Sequence, residues 1–197
     1  MTTVGITGGI GSGKTTICRI FSELGIAVYN ADDEARQMYG MTSVQVELKK
    51  LFGEKIFRAN GDLDKKKLAD LIFNDEKALK EVNILIHPMV KKHFDKWREQ
   101  QTTLYVLKEA AILFESGSYK DCKKVIAITA PPEMRIGRIL QRDRRSRKEI
   151  EQIMAHQWTD EKRIKHSDFV IANDETKLLI PQVLEIHNNL LKLLSEN

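Results

Sequence analysis

The sequence predicts a three-layer α/β fold, in which helices cover both faces of a five-stranded parallel sheet. Two observations lead to this prediction. Short apolar runs alternate with longer amphipathic stretches along the chain, a pattern typical of parallel α/β proteins. In addition, a glycine-rich segment follows the first apolar run and opens a helical pattern, as expected where a strand leads into a helix at the end of such a sheet.

Five apolar segments are predicted to form the sheet. Each is rich in Val, Ile, Leu or Tyr and is about as long as a strand that is buried on both faces. In chain order, the predicted strands are residues 3–7, 26–30, 103–108, 124–129 and 168–172.

Helices are predicted between and after these strands. One is expected over 16–24, and a last one over 178–194, where leucines recur at helical spacing so that one face can pack on the sheet. Residues 1–37 and 101–197 together would form the core that contains the sheet.

The interval between the second and third strands is too long for one crossover helix. We predict a helical insertion at 38–100, with helices at 44–51, 65–73 and 77–100. Because proline lacks the N–H that a helix interior requires, the last of these helices is expected to stop and restart at Pro88.

Composition argues against several classes of protein. The 197 residues include 32 Lys and Arg and 28 Asp and Glu, for a formal net charge of +4. The two signs are mixed along the chain, which does not indicate broad nucleic-acid binding. Only Cys18 and Cys122 occur, so neither a disulfide scaffold nor a cysteine-based zinc site is expected.

No part of the sequence predicts a membrane segment or a secretion signal. No apolar run approaches the length of about 20 residues that a membrane span needs, and the N-terminus lacks the pattern of a signal peptide. We therefore expect a cytoplasmic protein without nucleic-acid or membrane partners, which acts as a monomer or a small homo-oligomer.

The strongest signal is the segment Gly8-Gly9-Ile10-Gly11-Ser12-Gly13-Lys14-Thr15, which matches G-x-x-x-x-G-K-[ST] at every fixed position. Such a phosphate loop, or P-loop, follows a strand and opens a helix. Its glycines allow successive backbone N–H groups to point at an anion. The Lys14 ammonium would contact the outer phosphates, and the Thr15 hydroxyl would bind Mg²⁺. The sequence therefore predicts a protein that binds a nucleoside triphosphate.

Missing motifs narrow the class of P-loop protein. A GTPase would carry Asn-Lys-x-Asp to recognise guanine and Asp-x-x-Gly after a strand, and neither occurs in the chain. The chain is also short for a motor or transporter ATPase. A small phosphotransferase remains, in which the insertion covers the acceptor and an arginine-rich lid covers ATP.

Two acidic residues are predicted at carboxyl ends of strands, where ligands bind in an open α/β sheet. Asp32 follows the second strand and could accept the proton of an acceptor hydroxyl or hold Mg²⁺ through water. The alternative is that Asp32 caps the next helix, a role that we favour for Asp33. Glu109 follows the third strand and could be a second, metal-side acid or an ordinary surface residue.

A densely charged segment at about 133–166 is predicted to form the lid. It contains Arg135, Arg138, Arg142, Arg144, Arg145 and Arg147. The first three share one helical face, and guanidinium groups stabilise the charge on a transferred phosphoryl group. We predict that Arg138 and Arg142 cover ATP. The alternatives are nucleic-acid contact and a solvated basic face, which we favour for Arg144, Arg145 and Arg147.

With these motifs in this order, the chain resembles the dephospho-coenzyme A kinase family along nearly its full length. The most distinctive matches are the phosphate loop and the pair His87-Pro88. The other matching elements are Ala31-Asp32, Gly61-Asp62-Leu63, Ile72-Phe73, Leu113-Phe114-Glu115, Arg138, Arg142-Asp143, Gln157, Ser167-Asp168 and Val170-Ile171-Ala172-Asn173.

The resemblance implies transfer of the ATP γ-phosphate to the ribose 3′-hydroxyl of dephospho-coenzyme A, with Mg²⁺, as the last step of coenzyme A synthesis. By this likeness Asp32 is the base, Lys14 and Arg142 act on the transferred phosphate, and Asn173 lies near the adenine. The residues expected to hold the ATP phosphates are Gly11, Ser12, Gly13, Lys14, Thr15 and Thr16.

The same resemblance makes the insertion at 38–100 the acceptor-binding domain. Candidate acceptor contacts are Asp32, Lys65, His87 and Glu109. On its sequence context alone, His87 is instead expected to be a structural or capping residue.

The chain departs from the family pattern at several positions. Asn30 replaces an aspartate, Ala111 a proline, Lys65 an arginine and Arg135 a glutamine. Lysine keeps the charge of arginine but cannot make its bidentate phosphate contacts. Two other functions stay open on the residues alone: a kinase for another small molecule or a nucleoside monophosphate, and a nucleic-acid-associated P-loop ATPase.

Overall fold

The computed structural model describes residues 1–143 and 145–195. The chain divides into two compact units, Met1–Asn30 with Gln101–Asn197, and Ala31–Gln100. The second unit begins earlier than the predicted insertion, which starts at residue 38. The reason is that helix α2 (Ala31–Met38) packs against the longest helix of that unit.

The first unit is built on a five-stranded parallel sheet with the order β2-β3-β1-β4-β5. Each strand coincides with a predicted segment to within two residues at either end, which confirms the predicted sheet. The strands are β1 (Thr2–Gly8), β2 (Ala27–Asn30), β3 (Tyr105–Glu109), β4 (Lys124–Thr129) and β5 (Phe169–Ala172).

One face of this sheet is covered by helices α1 (Lys14–Glu23) and α9 (Leu179–Ser195), which contact each other. Both correspond to helices predicted from the sequence. Alternate residues of the central strands point to this face because side chains alternate along a strand. The core formed there contains Val4, Ile6, Ile17, Phe21, Ile126, Ile128, Val183, Ile186 and Leu190.

The opposite face is also covered. Helix α8 (Asp160–His166) contacts β4, whose residues Val125 and Ala127 alternate with those of the first core and are buried. In β1, a Cβ on Gly5 would lie 2.7 Å from Cδ2 of Leu113, so the turn after β3 packs closely on the strand. The sheet therefore has a layer on each face, and the predicted three-layer architecture is confirmed.

The charged segment after β4 forms three helices, α6 (Pro132–Arg142), α7 (Arg147–Ala155) and α8. Proline at the start of α6 suits a first helical turn, which needs no N–H there. In α7 the side chain of Ser146 caps the helix, and Glu149 reaches back to the Ser146 N–H. Arg144, which was predicted to lie on a solvated basic face, is outside the described residues.

The second unit is helical and consists of α2, α3 (Thr42–Phe52), α4 (Lys65–Asn74) and α5 (Glu76–Glu99). The first three of these helices each pack against α5. The buried side of α5 is a row of residues at four-residue spacing, namely Ala78, Val82, Ile86, Val90 and Phe94. Among residues 1–143 and 145–195, no helix has the length and apolarity needed to cross a membrane.

Helix α5 does not stop at Pro88, so the predicted break is wrong. The helix runs from Glu76 to Glu99 with Pro88 inside it. Proline removes the N–H that would bond the carbonyl of Ile84, but Ile84 and Pro88 lie on the exposed side, where water can reach that carbonyl. The buried row continues unbroken on the other side, and its burial outweighs the cost of one lost hydrogen bond.

Candidate active site

The phosphate loop connects β1 to α1 and has the tight turn that the motif predicts. Gly11 and Gly13 have φ values of 79° and 94°, in the left-handed region where a Cβ causes strain. Their surroundings leave no space either. A Cβ on Gly11 would lie 2.6 Å from the carbonyl O of Arg135, and one on Gly13 would overlap the side-chain amide of Asn173.

Lys14 begins α1, and its ammonium is held at the loop by two oxygen atoms. Nζ donates a hydrogen bond to the carbonyl O of Gly8 at 2.9 Å and lies 3.8 Å from Oε1 of Glu109. The side chains of Lys14 and Glu109 are only 12% and 6% exposed. Because little water reaches them, their charges interact more strongly than those of a surface pair. A phosphate that enters the loop would therefore meet a cation already in position.

Cys18 lies in the same region, on the buried side of α1. Burial raises the pKa of its thiol to about 12, and the nearby charge of Glu109 acts in the same direction, against Lys14. The thiol therefore stays protonated at neutral pH. Because the thiolate is the reactive form, Cys18 is a core residue and not a nucleophile.

Three hydroxyl groups lie along the loop and the first turn of α1. Thr15 and Thr16 are exposed, whereas Oγ of Ser12 is buried and has no hydrogen-bond partner within the described residues. A buried hydroxyl normally has a partner, so Ser12 is suited to donate to a phosphate oxygen.

The residues at the loop fit a Mg²⁺ ion that arrives with a nucleotide. In the part of the chain that the structure describes, no group of three or more His, Cys, Asp or Glu could hold a metal. A protein cage for a resident cation is therefore not found there. Mg²⁺ commonly uses one or two protein oxygens together with water and substrate phosphates, and the exposed hydroxyl of Thr15 offers one such oxygen.

Asn173, which follows β5, reaches the phosphate loop, and its place near the adenine stays a prediction. Its Nδ2 donates to the carbonyl O of Ser12 at 2.8 Å. Arg138 holds this segment, since its Nη2 donates to the carbonyl O of Asn173 at 3.1 Å and lies 3.3 Å from Oε1 of Glu175. In this structure Arg138 is thus engaged with the segment after β5.

Arg142, the last residue of α6, is mostly exposed and pairs with its neighbour. Its Nε and Nη2 donate to the two carboxylate oxygens of Asp143 at 2.8 and 3.0 Å. This pair raises the pKa of Arg142 and lowers the pKa of Asp143, in each case mainly through the side-chain hydrogen bond. A role of Arg142 over ATP stays a prediction.

Arg135 contacts the loop closely, although no sequence pattern predicted a role for it there. It is 5% exposed, its Nε donates to the carbonyl O of Ile10 at 2.9 Å, and its Nη2 lies against Gly9. Gln157 accepts a hydrogen bond from the N–H of Ile10 at 2.8 Å. No spacing rule distinguishes Arg135 from Arg138 or Arg142, because all three share a helical face and only their burial differs.

In the second unit, Asp32 is half-buried in the first turn of α2. Its neighbours are engaged within the unit. Oδ1 of Asp33 lies 2.5 Å from Nη1 of Arg36, and Oε2 of Glu34 lies 3.6 Å from Nδ1 of His93. Acidic residues at a helix start also interact favourably with the helix dipole, so both predicted roles of Asp32, base or cap, remain predictions.

The two other acceptor candidates of this unit lie on different helices. Lys65 is exposed at the start of α4, next to Asp64, which caps the helix by accepting from two backbone N–H groups at 3.0 and 3.2 Å. These bonds lower the pKa of Asp64. His87 lines an open cavity of about 460 Å³ along α5, together with Glu76, Leu79, Lys80, Asn83, Ile84 and Pro88.

Comparisons with known proteins agree with the family resemblance that the sequence motifs show. A family model described as dephospho-CoA kinase matches residues 2–178. A dephospho-CoA kinase of Fusobacterium nucleatum is 37% identical over 171 residues, which cover 87% of this chain and 89% of the relative.

Solved structures also resemble the chain. The crystal structure of TT1252 from Thermus thermophilus has a TM-score of 0.87 at 29% identity, and covers 95% of this chain and 96% of that one. A dephospho-CoA kinase from Campylobacter jejuni has a TM-score of 0.66 at 25% identity, with the same coverage.

Proposed function

Because the chain belongs to the dephospho-coenzyme A kinase family, we propose that it transfers the γ-phosphate of ATP to the ribose 3′-hydroxyl of dephospho-coenzyme A. The products are ADP and coenzyme A, in the last step of coenzyme A synthesis. The observation that carries this proposal is an intact phosphate loop, with Lys14 held between Gly8 and Glu109, in a chain that the family matches over residues 2–178.

The loop binds and orients the ATP phosphates. Backbone N–H groups between Gly11 and Thr16 donate to phosphate oxygens at the start of α1, where the helix dipole favours an anion. The Ser12 hydroxyl adds a donor, and the Lys14 ammonium neutralises the charge that develops on the outer phosphates. Asn173 holds the loop from the segment after β5 and lies on the side of the adenine.

In this proposal the Thr15 hydroxyl would hold the Mg²⁺ that accompanies ATP, and Glu109 or Asp32 would bind the ion through water. When bound, the ion neutralises charge on the β- and γ-phosphate oxygens. The exposed hydroxyl of Thr15 supports this assignment, because Mg²⁺ prefers oxygen ligands and retains several waters.

Asp32 is the base of the proposed reaction. The 3′-oxygen forms a bond to the γ-phosphorus, the bond from phosphorus to the ADP oxygen breaks, and the hydroxyl proton passes to the Asp32 carboxylate. Asp32 follows Asn30, the last residue of β2, which is paired with Glu109 at the carboxyl end of the sheet. Asp33 suits this role less well because its side chain is exposed to solvent, whereas Asp32 is half-buried.

The remaining assignments complete the proposal. Lys65 and His87 contact the acceptor, and Arg142 leaves Asp143 to cover the transferred phosphate. The enzyme is cytoplasmic, acts as a monomer or a small homo-oligomer, and has no nucleic-acid partner. The mixed signs of its 32 basic and 28 acidic residues support the last point.

The decisive experiment measures ADP and coenzyme A together. We expect purified protein with Mg-ATP and dephospho-coenzyme A to form the two products in a one-to-one ratio, and to release little ADP without the acceptor. ADP release without formation of coenzyme A would rule out dephospho-coenzyme A as the acceptor. A panel of nucleoside monophosphates and other small alcohols would then identify the correct acceptor. Stimulation of ATP hydrolysis by RNA or DNA would favour a nucleic-acid-associated ATPase.

A further inference from the structure

The middle of the phosphate loop is held by side chains from outside the loop. The carbonyl O of Ile10 accepts a hydrogen bond from Nε of Arg135 at 2.9 Å, and the N–H of Ile10 donates to Oε1 of Gln157 at 2.8 Å. Arg135 belongs to α6, and Gln157 lies in the link between α7 and α8. Both backbone polar groups of one loop residue are thus bonded to the charged segment.

The loop also rests directly on α6. Nη2 of Arg135 lies so close to Gly9 that a Cβ there would overlap it, and a Cβ on Gly11 would lie 2.6 Å from the carbonyl O of Arg135. Ile10 itself packs against the apolar cluster that contains Ile139. The positions of three successive loop residues therefore depend on where α6 lies.

The charge of Arg135 is balanced by a chain of ion pairs that is largely shielded from water. Nη1 of Arg135 lies 3.5 Å from Oδ1 of Asp160, and the same oxygen accepts from Nη1 of Arg163 at 3.0 Å. Arg163 is fully buried, and its Nη2 lies 3.5 Å from Oε1 of Glu115. That oxygen also accepts from the N–H of Trp158, next to Gln157, at 2.7 Å. The chain therefore orients Arg135 and fixes the backbone beside Gln157.

We propose that Arg135 and Gln157 are positioning residues that hold the phosphate loop in its ATP-binding conformation through Ile10, so that the order of the α6–α8 segment controls ATP affinity. Both act through the N–H groups that the loop presents to the β- and γ-phosphates, and neither contacts the reacting atoms. The inference rests on ATP binding as proposed above, but not on the identity of the acceptor.

This role predicts which ligands are affected. A loop with four glycines has many conformations when it is not held, and only some of them direct several N–H groups to one anion. Loss of a hydrogen bond at Ile10 should therefore weaken the binding of ligands that carry a β-phosphate, such as ADP and ATP. Binding of AMP, which lacks the phosphate that this loop holds, should change little.

Two substitutions at Arg135 separate its hydrogen bond from its charge. In Arg135→Gln, the amide nitrogen occupies the same place along the side chain as Nε, so the donor to Ile10 is kept and the charge is lost. In Arg135→Met, of similar length, both are lost. Because the variants differ chiefly in one hydrogen bond, we expect R135M to bind ADP about five times more weakly than R135Q in calorimetric titration.

A second residue tests the proposal independently. Gln157→Leu removes the acceptor for the Ile10 N–H while keeping the side-chain size, and it should weaken ADP binding by a similar factor of about five. Two matched controls should bind ADP as the unaltered protein does. One is Gln152→Leu on α7, and the other is Arg147→Met, since the Arg147 guanidinium pairs with Glu133 and Glu151 on the surface. In turnover assays of Gln157→Leu, the KM for ATP should rise while the KM for the acceptor stays unchanged.

Other outcomes would overturn the inference. Equal ADP affinities for R135M and R135Q, together with unchanged binding by Q157L, would show that the bonds to Ile10 do not position the loop. An equal loss of AMP and ADP binding would indicate general structural damage instead. If R135M does not fold, ADP binding by Q157L alone tests the proposal. Absence of ADP binding by the unaltered protein would overturn the proposed function, and this inference with it.

Discussion

At the scale of single residues, the chemistry of this chain depends on which charges are shielded from water. Lys14 and Glu109 are both largely buried and 3.8 Å apart. Burial, aided by the charge of Glu109 and opposed by that of Lys14, raises the pKa of the nearby Cys18 thiol, so that the thiol stays protonated. The pair of Asp33 and Arg36 is shorter but exposed, so water screens it and it contributes little to stability. The buried pair is therefore the one suited to act on a substrate.

The residue-scale prediction concerns Asp32. We expect Asp32→Asn to lower kcat by about 10²- to 10⁴-fold, the range typical of a lost general base, because the amide cannot accept the hydroxyl proton. Affinity for ADP, measured by calorimetry, should stay within about twofold, since the phosphate loop is unaltered.

The neighbouring aspartate supplies the control for this measurement. Asp33→Asn removes one charge from the same helical turn, but Asp33 is exposed and paired with Arg36. Its kcat should therefore stay close to that of the unaltered protein. Near-normal turnover of D32N, or an equal loss in D33N, would show that Asp32 is not the base.

At the scale of elements, helix α5 shows how burial along one face decides where a helix continues. Five residues at four-residue spacing are buried on that face, and Asp75 caps the helix start by accepting from the N–H groups of Lys77 and Ala78 at 2.9 and 3.2 Å. Pro88 occurs on the exposed side. Pro88 therefore lowers the local stability of a helix against which the other helices of the second unit pack.

We predict that Pro88→Ala stabilises the protein. Alanine restores a helical N–H and is intrinsically more favourable than proline in a helix interior by about 3 kcal/mol, part of which the native helix has already recovered by adjusting. We therefore expect the free energy of unfolding, measured by urea denaturation, to rise by about 1 to 2 kcal/mol. The exposed change Glu81→Ala on the same helix should alter it by less than about 0.5 kcal/mol, and a destabilised P88A would contradict the prediction.

At the scale of the whole molecule, stability depends on contacts between elements that are far apart in the sequence. Tyr105 at the start of β3 and His187 on α9 lie 2.8 Å apart through Oη and Nδ1. Burial lowers the pKa of His187 and raises the pKa of Tyr105. The imidazole is thus favoured in its neutral form, in which Nδ1 can accept from the Tyr105 hydroxyl.

This contact predicts a pH dependence of stability. In the unfolded chain His187 has a pKa of about 6.5, so the unfolded state binds a proton more readily than the native state. The stabilisation is therefore complete above about pH 6.5 and is lost as the pH falls toward the lower native pKa. Between about pH 7 and 5.5, the melting temperature of His187→Gln should fall less than that of the unaltered protein. Identical slopes of melting temperature against pH in the two proteins would contradict this role.

The exposed histidines provide the control for that measurement. His156 on the charged segment is exposed, and His156→Gln should leave the slope of melting temperature against pH unchanged. A change as large as that of H187Q would mean that the slope reflects total charge and not the contact with Tyr105.

Local patterns in the chain were sufficient to predict the sheet, the two helices on its first face and the phosphate loop. Each depends on neighbouring residues alone: short apolar runs form buried strands, and Gly11 and Gly13 permit φ values that residues with a Cβ rarely adopt. The loop motif and the order of the other motifs also predicted the family, since the residue types at these spacings are rarely found together by chance.

The rest required the tertiary structure, because it depends on burial that no local pattern records. Arg135, Arg138 and Arg142 share a helical face, yet only Arg135 lies beneath the loop, where Asp160 balances its charge. Pro88 is tolerated because its side of α5 is exposed while the opposite side packs on other helices. Residues distant in sequence decide in both cases whether a polar group is shielded from water, and that shielding sets what the group contributes.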